Sequence, residues 1–304
     1  MSPVSVTAPS SLLRMADLDQ TAILRLLDRA EALRTSGRSS WPRFDRSVLG
    51  LVCFESSTRT LLGFESAMAR LGGASVRLER PRMAGVMSRA ESLEDTMRVV
   101  SSYCDAVLLR QADAGALDRA AAASTAPLIN GGNGADEHPT QAIIDLFALR
   151  RRHGRLEGLR IGIAGDLVIS RSAHSLLRAL ALFQPAEVRL MTPKGRGMPV
   201  AYRSGVACTS LSRLDVEGLD VLYMAGLPAG RGRTHLGESA RRRFQLTMSA
   251  MRRLPATAVV LCPLPRIDEI ASAVDAEAQA GYFRQSGDAL FVRAAILESV
   301  MEEA

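Results

Sequence analysis

"SVLGLVCFESSTRTLLGFESAMARLGGASVRLE" (residues 47–79) places an apolar run, a polar cluster, an amphipathic run and a second extended run in succession. Residues 47–55 read as a buried strand, a short apolar run without helical periodicity. From Thr58 onward, Leu61, Phe64, Met68 and Leu71 share one helical stripe, and Gly72-Gly73 stops it. "ASVRLE" (74–79) reads as the next strand. Strand, helix, strand is a βαβ unit, and its crossover demands a parallel sheet.

The same alternation extends outward. "LLRMADLDQTAILRLLDRAEALR" (12–34) has apolar residues at helical spacing after an Asp-rich start, which predicts a helix. "ESLEDTMRVVSSY" predicts a helix, "DAVLLR" (105–110) a strand, and "APLINGG" (126–132) a strand ending in a glycine turn. After the helix "HPTQAIIDLFALRRRHG" (138–154) the pattern restarts with "RIGIAGD" (160–166), helix "RSAHSLLRALALF", and strands "EVRLMTP", "DVLYMAG" and "TAVVLCP". The expected fold is α/β, with two doubly wound parallel-sheet domains and a cleft between them. The predicted boundary is at 146/147, and ligands belong at the carboxyl ends of the strands.

Composition narrows the function. The chain has 304 residues, 47% hydrophobic and 23% charged, as in ordinary globular proteins. No apolar run has the roughly 18–20 residues a bilayer requires, and the N-terminus lacks a basic-then-apolar signal segment. This predicts a cytoplasmic protein with no membrane partner. Cys53, Cys104, Cys208 and Cys262 form no CxxC pair, which argues against a disulfide framework or a zinc site. The net charge is +6, with arginine clusters at 150–155 and 241–243, but aromatics are only 4% and are not interleaved with them. Without a stacking platform, those clusters read as solvated helix faces, and no nucleic-acid partner is expected. No GxGxxG and no GKS/GKT occurs, which disfavours dinucleotide and P-loop chemistry.

The polar clusters carry the chemistry. Ser56, Ser57, Thr58, Arg59 and Thr60 stand at a helix N-terminus, where free backbone N–H groups and the helix dipole attract an anion. One residue suffices for a cap, whereas four hydroxyls around a guanidinium suit a phosphate. Arg110 ends a strand, His138 and Gln141 share one face of a helix start, and Arg171 stands at the mouth of the second domain. "CPLPRIDEI" ends a strand in two prolines, whose neighbouring carbonyls no continuing helix recruits.

Taken together, "FESSTRT", "GFESAMARLGG", "HPTQAIIDLF", "GDLVISRSAHSL", "LCPLPRIDEI" and "YFRQSGDALFVRAAIL" resemble the catalytic chain of the aspartate/ornithine carbamoyltransferase family, on its aspartate branch. The resemblance is collinear over nearly the whole chain. It implies a carbamoyl-phosphate-binding domain (1–146, with a C-terminal helix 288–304 packed back on it) and an acceptor-binding domain (147–287). It also implies a homotrimer with shared active sites, no cofactor and no metal. Ser57, Thr58, Arg59 and Thr60 would bind the phosphate group. Thr60, Arg110 and His138 would polarise the carbamoyl oxygen, and Gln141 with the Pro263 and Leu264 carbonyls would hold the amide. Arg171 and Arg110 would take the acceptor's α-carboxylate.

The departures fall on one end of one substrate. The family's loop serine and lysine fall on Gly85 and Arg89, and the sole lysine, Lys194, lies elsewhere. After "LYM" the family pattern carries an arginine and, two residues on, a glutamine, and here those positions are Gly226 and Pro228. That arginine and glutamine, with the loop lysine, are the family's groups that hold aspartate's side-chain carboxylate. Each lost charge-assisted hydrogen bond costs about 1.5–3 kcal/mol. Leu61 and Gly63 also stand where the family shows arginine and serine. The expectation is carbamoyl transfer to an amino group other than that of aspartate. Two alternatives stay open: an aspartate enzyme of pyrimidine biosynthesis whose acceptor loop is rebuilt with Arg89, Arg231 or Arg233, and a non-catalytic or repurposed binding subunit.

Overall fold

The βαβ reading of residues 47–79 holds in the computed structural model, which describes residues 11–37, 40–79, 91–227 and 236–302. The first half runs α1 (Gln20–Thr35), β1 (Val48–Cys53), α2 (Thr58–Arg70), β2 (Ala74–Glu79), α3 (Leu93–Ser101), β3 (Ala106–Gln111), α4 (Ala116–Ala123) and β4 (Leu128–Asn133). The second runs α5 (Pro139–His153), β5 (Arg160–Gly165), α6 (Arg171–Ala181), β6 (Glu187–Met191), β7 (Cys208–Leu211), β8 (Val221–Gly226), α7 (Glu238–Arg242), α8 (Met248–Met251), β9 (Val259–Leu261) and α9 (Tyr282–Glu302).

Two compact units result. One comprises Met1–Asp17, Leu24–Gly134 and Leu290–Ala304, and the other Leu18–Ile23 and Ala135–Ala289. The first contains a four-stranded sheet in the order β2-β1-β3-β4, the second a five-stranded sheet in the order β7-β6-β5-β8-β9. All the pairings between named strands are parallel. Each sheet reverses its winding direction once, between β1 and β3 in the first and between β5 and β8 in the second. Adjacent crossovers there leave to opposite faces, and the carboxyl ends of the two strands open a crevice.

Burial follows from sequence pattern. β1, β3, β5 and β8 are nearly continuous apolar runs, and most of their residues are buried, as strands covered on both faces must be. The α2 stripe is buried as well: Leu61, Phe64, Met68 and Leu71 are at most 4% exposed. Each such side chain contributes roughly 1.5–3 kcal/mol of transfer free energy. In the second unit Leu222, Met224, Val260, Cys262 and Tyr282 belong to one core cluster.

The first helix begins after the Asp-rich start of its segment, with α1 opening at Gln20. Leu12 instead bridges Ile129, exchanging 2.9 Å backbone hydrogen bonds with Leu128 and Asn130. Asp17 accepts the Leu13 and Arg14 N–H groups, and Asp19 accepts that of Ala22. The two aspartates thus compete for the N–H groups a longer helix would have used. The C-terminal helix, by contrast, starts earlier than its sequence suggested, at Tyr282.

Candidate functional site

In the first unit, the switch between β1 and β3 brings together the polar cluster and Arg110. β1 feeds α2 through Phe54–Ser57, and Cys53 of β1 is in register with Arg110 of β3. Ser57 occupies the N-cap position of α2, but its hydroxyl makes no capping hydrogen bond. The serines before α3 and α6 do close on their helices, accepting from Asp95 N and Ala173 N. The Ser57 hydroxyl is therefore not used as a cap. Thr60 is buried and Arg59 is exposed.

Arg110 is largely buried, its Nε 2.8 Å from Glu55 Oε1 and its Nη1 donating to the Gly131 carbonyl at 3.0 Å. These two contacts hold the guanidinium at the strand end. Burial pushes the Cys53 thiol beside it up to about 11, so it stays neutral near pH 7 and is no nucleophile.

Sequence reasoning missed Arg293 of α9. Its guanidinium lies 5.7 Å from the Phe64 ring centroid, directly above Gly63. A Cβ on Gly63 would sit 2.1 Å from its Nη1, so the glycine makes room for the arginine. Arg293 is only 8% exposed, its buried Nε has no hydrogen-bond partner, and no carboxylate pairs with it among the described residues. Burial, and then the Arg59 charge, push its pKa down to about 10. Two cations thus stand near the first turns of α2, and the buried one, Arg293, favours a negative charge beside it.

In the second unit, α5 presents His138 and Gln141. His138 N donates to Ser175 Oγ at 2.9 Å, Ser175 Oγ donates to Glu137 at 3.2 Å, and Glu137 pairs with Arg178. His138 Nδ1 faces the Thr140 hydroxyl at 3.2 Å. Gln141 Nε2 donates to Asp145 Oδ1 at 2.7 Å, and Gln285 Nε2 donates to the same oxygen at 2.5 Å. Gln285 Oε1 accepts the Cys262 N–H at 3.0 Å. A backbone N–H can only donate, so it sets the Gln285 amide, and Asp145 in turn sets Gln141. The carbonyl end of Gln141 is left as its acceptor. Burial pushes Asp145 up to about 7 against the lowering effect of the two glutamines. It pushes the neighbouring Tyr223 phenol far above its usual range, reinforced by Asp145.

The Cys262 end of this network leads into Pro263 and Leu264, where Leu264 adopts φ 51° and the Leu264–Pro265 bond is cis. Arg171 is the first residue of α6, whose N-terminus Ser170 caps. At the β5–β8 switch two glycines meet. A Cβ on Gly165 would lie 2.4 Å from the Gly226 carbonyl oxygen, and Gly226 itself has φ 89°. Glu269, buried to 1% exposure, accepts the Ile267 and Asp268 N–H groups through Oε2, while its Oε1 has no hydrogen-bond partner among the described residues.

The first unit therefore gathers Ser57, Thr58, Arg59, Thr60 and Arg110, and the second holds His138, Gln141, Arg171, Pro263 and Leu264. Gly85, Arg89, Pro228, Arg231 and Arg233 lie outside the described residues. Asp145, Gln285, Glu269 and Arg293 were not singled out in the sequence. Asp145 had a readable signal, four residues after Gln141 on one helix face. Glu269 and Arg293 had none, since their significance lies in partners they lack. Among the described residues no His, Cys, Asp and Glu cluster suits a metal ion, and no helix is long and apolar enough to cross a membrane.

Known proteins share this layout. The family descriptions "Aspartate/ornithine carbamoyltransferase, carbamoyl-P binding domain" and "Aspartate/ornithine carbamoyltransferase, Asp/Orn binding domain" match residues 10–151 and 157–300. The aspartate carbamoyltransferase catalytic subunit of Archaeoglobus fulgidus is 37% identical over 95% of this chain and 98% of its own length. The chloroplastic aspartate carbamoyltransferase of Oryza sativa is 34% identical over 91% of this chain and 78% of its own. The Trypanosoma cruzi aspartate transcarbamoylase, solved with carbamoyl phosphate and aspartate, superposes with a TM-score of 0.88 at 30% identity, covering 98% of this chain and 97% of that one. The chain belongs to the aspartate/ornithine carbamoyltransferase family.

Proposed function

We infer that the chain transfers the carbamoyl group of carbamoyl phosphate to the amino group of an acceptor other than aspartate, working as a homotrimer. Gly226 carries this reading. It ends β8 with a positive φ and no side chain, at the position where the family pattern has the arginine for aspartate's far carboxylate. The carbamoyl-phosphate residues of that pattern, by contrast, are all present. They comprise Ser57, Thr58, Arg59 and Thr60 for the phosphate group, and Thr60, Arg110 and His138 for the carbamoyl oxygen. Gln141 and the Pro263 and Leu264 carbonyls receive the amide hydrogens.

In the reaction a neutral amine attacks the carbonyl carbon and forms the C–N bond. The C–O bond to phosphate breaks, phosphate leaves with the electron pair, and it takes up the proton the amine loses. Arg110 stabilises the developing oxyanion, and His138 does so through an Nε2–H when Thr140 donates to Nδ1. Arg59 and the α2 N–H groups carry the charge of the leaving phosphate. Gln141, oriented by Asp145, accepts from the carbamoyl NH2 and thereby positions it. Arg171 takes the acceptor's α-carboxylate.

The test combines the protein, carbamoyl phosphate and a panel of amino acids, following phosphate release and ureido product by mass spectrometry. The expected result is transfer to a non-aspartate amine, with aspartate slower by orders of magnitude. The names of the relatives favour aspartate, and aspartate turnover at rates matching the best acceptor would overturn the reading.

A further inference from the structure

Within the second unit, the carboxyl ends of β5 and β8 bound the switch-point crevice, the place where an open parallel sheet takes its ligand. Gly226 closes β8 there. A Cβ built on it would have one described atom other than its chain neighbours within 4 Å, Glu269 Oε1 at 3.9 Å. That oxygen is buried and without a hydrogen-bond partner, although the other carboxylate oxygen is held by two backbone N–H groups at 3.0 and 3.2 Å. Neighbouring Arg241 is engaged by Asp268, its Nε donating at 2.8 Å. A side chain reaching out from position 226 would have met this carboxylate, and with glycine there Oε1 has no hydrogen-bond donor among the described residues. A buried carboxylate oxygen without a donor is costly, so the vacated space favours a positive or hydrogen-bond-donating group and repels a negative one.

We propose that Glu269 is a specificity-determining residue, selecting an amino-acid acceptor whose far end is an ammonium or another hydrogen-bond donor rather than a carboxylate. This rests on the carbamoyl-transfer reading and names the acceptor class for the same site. It also fixes which nitrogen reacts in a diamino acid. The amine held against Glu269 stays protonated and has no lone pair to attack with. The neutral α-amine forms the new C–N bond, phosphate departs with the C–O electron pair, and the α-amine's proton goes to phosphate.

The experiment compares acceptors matched in length and differing at the far end: aspartate, asparagine and 2,4-diaminobutyrate. Each is assayed with carbamoyl phosphate and the full chain, and the position of the ureido group is read by NMR. The expected wild-type order in kcat/KM is diaminobutyrate, then asparagine, then aspartate, with at least about 100-fold between the extremes and carbamoylation on the α-nitrogen. In Glu269→Gln the amide oxygen keeps the two backbone bonds and the NH2 faces the space, so the ratio falls to about tenfold or less. Gly226→Arg supplies a guanidinium and shifts preference toward aspartate. Because φ 89° disfavours a side chain, its melting temperature is recorded alongside, and Glu269→Gln keeps the test decisive if that variant does not fold. Transfer that favours aspartate, carbamoylation of the distal nitrogen, or an unchanged ratio in Glu269→Gln overturns this inference while leaving carbamoyl transfer intact. Absence of transfer to any amine overturns both.

Discussion

The start of α2 and the strand ends around Gly226 are both switch-point sites, but their charge balance is opposite. At α2, buried Arg293 has no anion beside it and Arg59 adds to the positive potential. Around Gly226, buried Glu269 has an oxygen with no donor. In the Gln141–Asp145–Gln285–Cys262 chain of contacts the two amides and the Cys262 N–H each reach an acceptor, while Asp145 Oδ2 has no partner among the described residues. A fold can satisfy its polar groups where it needs rigidity, so unmet charge at a switch point marks where a ligand completes the structure. The sign is what the two proposals rest on: an anion at α2, a donor at Gly226.

The largest expected effect tests the Asp145 network. Asp145 has a folded pKa of about 7 against an ordinary 3.8, so the folded chain keeps a proton that the unfolded chain gives up. Its contribution to stability is complete below about 3.8 and is lost as pH rises toward 7, on the order of 4 kcal/mol in all. Asp145→Asn should remove that slope, so denaturation at pH 4.5 and pH 8 should show the variant gaining on wild type at the higher pH. Parallel curves would mean that Asp145 is ionised in the fold.

Arg59→Ala should weaken carbamoyl-phosphate binding by at least about 100-fold in calorimetry, with the melting temperature nearly unchanged, because a bidentate phosphate contact is worth two charge-assisted bonds. Unchanged binding would move the phosphate away from α2. Arg293→Met should stabilise the ligand-free protein by about 2–3 kcal/mol, since its pKa depression to about 10 is a cost of burial at neutral pH. The same variant should gain less from added phosphate, and an equal gain would separate Arg293 from the anion. Gln285→Leu leaves the Cys262 N–H unpaired and should cost about 1–3 kcal/mol, read by urea denaturation. The smallest effect is Gly226→Ala, about 1–2 kcal/mol from the positive φ, and no loss would show that the backbone there relaxes readily.

Much of the fold was legible because parallel sheets bury both faces, and their strands stand out as apolar runs between amphipathic helices. α2 and β2 were readable nearly to the residue for that reason. The bridge of Leu12 to β4 was not legible, because its partner lies more than a hundred residues away. The place of the hydroxyl and guanidinium cluster at a helix start was legible too, since its members are adjacent in sequence.

The sequence alone determined the α/β class and the family, because those signals are local: periodicity, turn glycines and short polar motifs. It also showed that position 226 had lost its arginine. Only the tertiary structure decided what that loss left behind. Burial and the absence of a partner are properties of neighbours distant in sequence, so Glu269 beside Gly226, and Arg293 above Gly63, became meaningful only once the chain had folded.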